Sequence, residues 1–128
     1  MKVLLDTHAL LWFLLDDPAL SASAKACIEF KDRRVFVSPA SYWEIAIKIS
    51  LGKYRLDETL DGFLERELIH NDFLILPIRV AHAAKLTDMP FHHRDPFDRL
   101  MIAQALTDAM PIVSADAAFD HYGVQRIW

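Results

Sequence analysis

Five short runs of β-branched and other apolar residues recur along the chain, and the longer stretches between them have helical spacing. The runs are "KVLL", "VFVS", "FLILP", "PIVS" and "VQRIW". Alternating strands and helices are typical of α/β folds, and strands this short and apolar suit a parallel sheet that is covered on both faces. The sequence therefore predicts an α/β fold, a parallel sheet flanked by helices, with functional residues at the carboxyl ends of the strands.

Length and composition predict a single domain that spans residues 1–128, because 53% of the residues are apolar and can form a core. The formal charge of -4 argues against broad electrostatic binding to nucleic acid, although a local basic patch is compatible with it. The apolar stretch "ALLWFLL" is bounded by Asp6, Asp16 and Asp17, and it is shorter than the roughly 20 residues of a membrane span. With one cysteine, Cys27, and no targeting segment, we expect a cytoplasmic protein without an internal disulfide.

Two aspartates follow predicted strands directly. Asp6 ends the run "KVLL", and Asp116 follows "PIVSA". Because the carboxyl ends of parallel strands meet at one edge of a sheet, both carboxylates should lie at the same edge. Each is also explained as the N-cap of the next helix, a position that Asp favours, so neither is diagnostic alone.

The stretch "SPASYWEIAIKISLGKY" predicts a helix that begins near Ser38 to Ser41 and stops at Gly52. On a helical wheel, Ser41, Glu44 and Lys48 form one narrow polar stripe, and the rest is mostly apolar, which predicts a largely buried helix. Glu44 has two structural explanations: a capping box with Ser41 and an i,i+4 ion pair with Lys48.

A second helix is predicted in "HHRDPFDRLMIAQALTDAM", where Asp95 would be the N-cap and Pro96 the first helical residue. Asp98 falls in the first turn, where the helix dipole favours negative charge. It also lies on the same side as the apolar residues Met101 and Ile102, so its carboxylate should face the interior.

Convergence of Asp6, Glu44, Asp98 and Asp116 would require a counter-charge, and the spacing of the sequence offers no obvious protein cation. Each pair at about 6 Å would repel by roughly 2 to 3 kcal/mol at an effective dielectric constant near 20. Either some of the acids are protonated or a cation is bound. Carboxylates without thiolates or a histidine cluster favour a hard ion, so Mg²⁺ or Mn²⁺ is expected rather than Zn²⁺.

Taken together, "LLDTHALLW", "SYWEIAIKISLGK", "RDPFDRLMIAQA" and "IVSADAAFDHYGV" resemble the PIN-domain ribonucleases, particularly the VapC-like toxins of bacterial toxin–antitoxin pairs. The similarity covers nearly the whole chain in the right order. It implies a Rossmann-like PIN domain and a metal-dependent endoribonuclease that hydrolyses RNA phosphodiester bonds with metal-activated water. It also implies structured RNA such as tRNA or rRNA as substrate.

The resemblance implies roles for individual residues. Asp6, Glu44, Asp98 and Asp116 match the family's acidic site and would be both the catalytic residues and the ligands of Mg²⁺ or Mn²⁺. We expect Asp6 and Asp98 to be the most direct ligands, with Glu44 and Asp116 completing the site or orienting water. Around them, hydroxyl or carboxylate groups would hold the ligands or water in place. These supporting residues are Thr7, Ser114, which is Thr in many relatives, and Asp95.

Cations near this edge of the sheet are the candidates for contacts with RNA phosphates, although a run such as "HHR" is more often a solvated loop. The candidates are Lys48, Lys53, Arg55, His92, His93, Arg94 and Arg99. The expected protein partners are a cognate antitoxin, which would place Arg or Lys among the carboxylates, and a second copy of the chain in a homodimer.

Two alternatives remain at this point. One is a noncatalytic interaction module of the same fold, in which the acids are only helix caps. The other is a phosphatase-like metal-dependent hydrolase, which the sequence disfavours because His8 in "DTH" stands where a D-x-D motif needs its second acid. No P-loop or G-x-G-x-x-G motif is present among the three glycines.

Overall fold

All five predicted strands pair in one parallel sheet, in a computed structural model that describes residues 1–128. The strands are β1 (Lys2–Leu5), β2 (Arg34–Val37), β3 (Leu74–Ile75), β4 (Ile112–Val113) and β5 (Arg126–Ile127). Their order across the sheet is β3-β2-β1-β4-β5, and each neighbouring pair is parallel. The predicted α/β fold with a parallel sheet is therefore confirmed.

Helices cover both faces of the sheet, as the alternation of residues along β1 makes clear. Val3 and Leu5 belong to one buried cluster, whereas Leu4 belongs to a second cluster on the opposite face. The helices are α1 (Thr7–Leu14), α2 (Ala22–Glu29), α3 (Pro39–Ser50), α4 (Leu60–His70), α5 (Val80–Leu86), α6 (Pro96–Thr107) and a 3-10 helix (Ala117–Tyr122). None of them combines the length and apolar character that a membrane span needs.

Strand β1 and its two neighbours, β2 and β4, end at the same edge of the sheet. Leu5 is opposite both Val37 of β2 and Val113 of β4. The residues that follow these three positions are polar and buried: Asp6, Ser38 and Ser114. The ends of three strands thus place polar side chains together at the carboxyl edge of the sheet.

Helix α3 differs from the sequence prediction in two respects. Its N-cap is Ser38, whose hydroxyl accepts from the Ala40 N–H, so the capping box between Ser41 and Glu44 was wrong. The apolar side of the helix is buried only in part, because Ala40 and Ile45 are buried whereas Trp43 is 59% exposed. Ser41 and Glu44 are buried as well, since their stripe faces the interior of the carboxyl edge.

Candidate metal centre

Asp6 enters the carboxyl edge at the junction of β1 and α1. Its Oδ1 accepts a hydrogen bond of 2.8 Å from the Ala9 N–H, so it is the N-cap of α1. Burial raises the pKa of the Asp6 carboxyl, and hydrogen bonds from the Ser114 hydroxyl and the Ala9 N–H oppose that effect only in part. The cap and the proposed functional role therefore coexist in the same side chain.

Asp98 is the electrostatic centre of the site. Burial is the largest cause that raises its pKa, to about 7, and the next causes are the charges of Asp95, Asp6, Glu44 and Asp116. The structure thus brings all four acids of the predicted site to one place, with Asp95 beside them. Ionising Asp98 is costly there because the surrounding charges have the same sign.

Glu44 projects into the same region from α3 and is buried. Its Oε2 lies 3.1 Å from the Lys48 Nζ, which is the predicted i,i+4 pair. Its Oε1 is buried without any hydrogen-bond partner. A buried carboxylate oxygen without a donor is unfavourable, and a cation at this position would satisfy it.

Asp116 begins the 3-10 helix, where its Oδ1 accepts from the Ala118 N–H at 3.0 Å. Its Oδ2 lies 2.8 Å from Nε2 of His93. Partial burial acts to raise the pKa of Asp116, but the hydrogen bonds and charges, from His93 first, outweigh it and lower the pKa. Ligand atoms of His93, Asp98 and Asp116 all lie within 4.8 Å of one another.

The donor set fits a divalent metal ion. It consists of oxygens from Asp6, Glu44, Asp98 and Asp116, and it includes the unpartnered Oε1 of Glu44. Lys48, the predicted i,i+4 partner of Glu44, and His93, which was not predicted there, lie beside two of these acids. Asp6 and Asp98 nevertheless keep raised pKa values, first because they are buried and then because other acids lie nearby. Hard carboxylate oxygens are the ligands that Mg²⁺ and Mn²⁺ prefer.

The profile of the PIN domain family matches residues 3–125, which is almost the entire chain. The chain belongs to the PIN domain family.

Solved structures share the fold of this PIN domain at low sequence identity. VapBC2 from Rickettsia felis, solved with a DNA fragment from their promoter, gives a TM-score of 0.74 at 14% identity over 100% of both chains. FitAcB from Neisseria gonorrhoeae gives 0.66 at 20% identity over 97% of this chain and 95% of that one. VapBC-1 from nontypeable Haemophilus influenzae gives 0.64 at 14% identity over 98% and 96%. No curated protein matches the sequence significantly.

The supporting residues of the PIN domain occupy different positions relative to the acids. Ser114 hydrogen-bonds the Asp6 carboxylate and also accepts from the Asp116 N–H at 3.1 Å, which links two of the acids. Asp95 is the N-cap of α6, as predicted, and its Oδ1 accepts from the Asp98 N–H at 3.1 Å. The Thr7 hydroxyl donates instead to Ser41 at 3.1 Å, so it contacts no carboxylate directly.

The candidate RNA-binding cations are distributed unevenly. Lys53, Arg55, His92 and Arg94 are exposed, whereas Lys48 is paired with Glu44 and His93 with Asp116.

Arg99 is buried, contrary to its predicted role in RNA binding. Its Nη1 donates to the Pro90 carbonyl at 2.7 Å, and its guanidinium lies 4.0 Å from the centre of the Phe91 ring. Arg99 therefore fastens the segment before α6 and is not available to a phosphate.

The contact between His93 and Asp116 was not foreseen from the sequence, which gave His93 only as an RNA-binding candidate. The two residues are 23 positions apart, and His93 precedes α6 in a segment without helical or strand periodicity. No local pattern specifies such a pair.

Proposed function

We propose that this PIN domain is a metal-dependent endoribonuclease and the toxin of a VapC-like toxin–antitoxin pair. The observation that carries this proposal is the packing of Asp6, Glu44, Asp95 and Asp116 around Asp98, whose pKa is raised to about 7 by burial first and by these neighbouring charges next. A protein that used these acids only as helix caps would have no reason to bring them together, because their mutual repulsion destabilises the fold.

Asp6, Glu44, Asp98 and Asp116 would hold Mg²⁺ or Mn²⁺. When bound, such an ion lowers the pKa of a water molecule and offsets negative charge on the phosphate that is being cleaved. The unpartnered Oε1 of Glu44 and the raised pKa of Asp98 support this assignment, because the first is a buried acceptor without a donor and the second reflects burial together with four neighbouring acids. Neither a serine nor a cysteine nucleophile is required.

For the substrate, we propose structured RNA such as tRNA or rRNA, encountered in the cytoplasm. Exposed Lys53, Arg55, His92 and Arg94 are the cations available to phosphates. Their small number is consistent with the net charge of -4 and with recognition of RNA by shape rather than by a broad basic surface.

For the partners, we propose a cognate antitoxin and a second copy of the chain. The similarity to the fold of VapBC2 and FitAcB supports the antitoxin, which would insert Arg or Lys among the carboxylates. A groove of about 390 Å³ between α3 and α4 has apolar lining that suits a helix of such a partner. The 59% exposure of Trp43 supports a protein contact on α3, and we place the homodimer there.

Cleavage of total cellular RNA tests the proposal. Antitoxin-free protein with Mg²⁺ or Mn²⁺ should give discrete fragments, and EDTA should abolish them. Asp6→Asn is the matched control, because the amide oxygen still accepts from the Ala9 N–H while the charge is lost. It should reduce cleavage by about 10²-fold or more, as expected for loss of a metal ligand.

Folded, metal-loaded protein that leaves every RNA intact would support the noncatalytic interaction module instead. Cleavage that persists in Asp6→Asn would point to a contaminating nuclease. Thermal melts of both proteins show whether the comparison is between folded chains.

A further inference from the structure

His93 contacts Asp116, and its ring also packs against two aromatic residues. The proposed metal site does not account for this packing. The His93 side chain is only 10% exposed, and its Nε2 lies 2.8 Å from Oδ2 of Asp116. The imidazole ring stacks on Tyr122, with centroids 5.5 Å apart, and meets the edge of Phe119 at 5.2 Å. The ring therefore has one defined orientation.

The Tyr122 hydroxyl contacts Nδ1 of His93 and so bears on which ring nitrogen carries the hydrogen. Its oxygen accepts from the N–H groups of His92 at 2.9 Å and His93 at 2.7 Å, which occupy both of its lone pairs. Arg99 Nη1, at 3.5 Å, is a further donor. The hydroxyl proton then needs an acceptor, and the Nδ1 of His93, at 3.3 Å, is the acceptor in contact with it.

An Nδ1 that accepts leaves the hydrogen of the neutral imidazole on Nε2. The Nε2–H then donates to Oδ2 of Asp116, while the Ala118 N–H donates to Oδ1. Both oxygens of a carboxylate whose side chain is 46% exposed are thereby fixed. Without His93, the second oxygen of Asp116 would have no donor among these contacts and the carboxylate could turn toward solvent.

We propose that His93 is a positioning residue for Asp116, with its tautomer set by the Tyr122 hydroxyl. The proposal rests on the proposed function to the extent that Asp116 is taken as a metal ligand. The competing role, direct ligation through Nε2 together with Asp98 and Asp116, requires a deprotonated Nε2. The Tyr122 contact opposes that state.

The first measurement uses no metal. Long-range ¹H–¹⁵N spectra of the metal-free full chain at pH 8 report which ring nitrogen of His93 is protonated. We expect the Nε2–H tautomer in the wild type and an increased share of Nδ1–H in Tyr122→Phe, which keeps the aromatic ring. An Nδ1–H tautomer in the wild type, or no change in Tyr122→Phe, overturns the proposal.

The second measurement is the affinity of the full chain for Mn²⁺, by calorimetry. His93→Gln places an amide N–H near the position of Nε2 and should bind within about 3-fold of the wild type, whereas His93→Leu should bind about 10- to 100-fold more weakly. His121→Leu, which changes an exposed histidine on the 3-10 helix, is the matched control and should bind like the wild type. Metal-free thermal melts identify any variant that fails to fold.

Equal losses in His93→Gln and His93→Leu overturn the positioning role. So does strong ¹⁴N coupling to bound Mn²⁺ in electron spin-echo spectra of the wild type, if it disappears in His93→Leu, because it identifies a direct ligand. An Nε2–H tautomer in a wild type that binds no Mn²⁺ would overturn the proposed metal centre while supporting the tautomer assignment. The two failures are thus distinguishable.

Discussion

Asp98 combines partial burial with four neighbouring acids, and the metal-free protein ionises it only at a cost. Its pKa is about 7 in the folded chain and near the ordinary 3.8 when unfolded. The stabilisation from protonated Asp98 is therefore fully present below about pH 4 and is lost as the pH rises through 7. At pH 8 Asp98 is ionised and lowers the free energy of unfolding of the metal-free protein.

Asp98→Asn removes this cost, so the metal-free variant should be more stable than the wild type at pH 8. We expect a gain of about 1 to 2 kcal/mol in the free energy of unfolding, less than the full pKa shift would give because solvent reaches the side chain. Urea unfolding in EDTA at pH 4, 6 and 8 measures it, and the gain should vanish at pH 4.

Asp57→Asn, at an exposed carboxylate before α4, is the control and should show no such trend with pH. Equal stability of Asp98→Asn and wild type at pH 8 would mean that burial and the neighbouring acids do not make ionised Asp98 costly.

Residues with a periodic or strand-end position were predictable, and those defined by loop contacts were not. Asp6 and Asp116 follow strands, and Asp98 lies on the inner side of a helix, so the sequence placed the first two at one edge of the sheet and turned the third toward the interior. Arg99 was assigned to RNA because it is a cation near the functional edge of the sheet. Its guanidinium instead donates to the backbone carbonyls of Met89 and Pro90, in the segment before α6. No local sequence pattern indicates these contacts.

At the scale of elements, α5 and α6 are joined by a buried polar contact. His82 of α5 is fully buried, and its Nδ1 accepts from the Arg79 N–H at 2.9 Å. Its Nε2 therefore carries the hydrogen and donates to Oδ2 of Asp108, the C-cap of α6, at 3.1 Å. The Arg79 guanidinium also pairs with Asp108.

Asp108→Ala should destabilise the protein by about 1 to 3 kcal/mol, because it leaves the buried Nε2–H of His82 without an acceptor. Chemical denaturation measures the change. Glu58→Ala, which breaks an exposed ion pair with Arg66, is the comparison and should have little effect. A similar loss of stability in both variants would show that the effect of Asp108→Ala does not come from the buried Nε2–H of His82.

Helix α3 shows what a helical wheel can predict and what it cannot. The wheel identified a polar stripe but not the direction in which it faces. The stripe is buried because Ser41 bridges neighbouring helices: it accepts from Thr7 of α1 and donates to the Met101 Sδ of α6 at 3.4 Å. These three helices carry or follow Asp6, Glu44 and Asp98, so the tertiary arrangement, not the apolar content, decides which side is inside.

For the whole molecule, the acidic site joins segments that are distant in the chain. Asp6 precedes α1, Glu44 lies in α3, Asp98 in α6 and Asp116 before the 3-10 helix. The unfolded chain does not hold these carboxylates together, so an ion that binds them stabilises the folded state of the entire domain.

Mn²⁺ should therefore raise the Tm of the wild type, by the equivalent of about 2.7 kcal/mol at a concentration 100-fold above its Kd. Glu44→Gln should retain the metal-free Tm to a good approximation and lose most of this increase, because it preserves the shape of the side chain but not its charge. Thermal melts with a series of Mn²⁺ concentrations measure both. A full increase in Glu44→Gln would remove Glu44 from the metal centre.

The parallel sheet was predictable because each strand is a short apolar run with helical sequence on either side. The strand order could not be read from these runs, since β1 pairs with β4, whose sequence lies more than a hundred residues away. Long-range pairing of this kind depends on the packing of the complete core.

Helix capping by Asp6 and Asp116 has a genetic consequence. In both residues Oδ1 accepts from the backbone at the start of a helix, and an asparagine oxygen can accept the same hydrogen bond. Aspartate and asparagine codons differ by a single nucleotide transition. A folded form of this protein that has lost the charge of one acid, yet still presents its surface to a partner, is therefore one point mutation away.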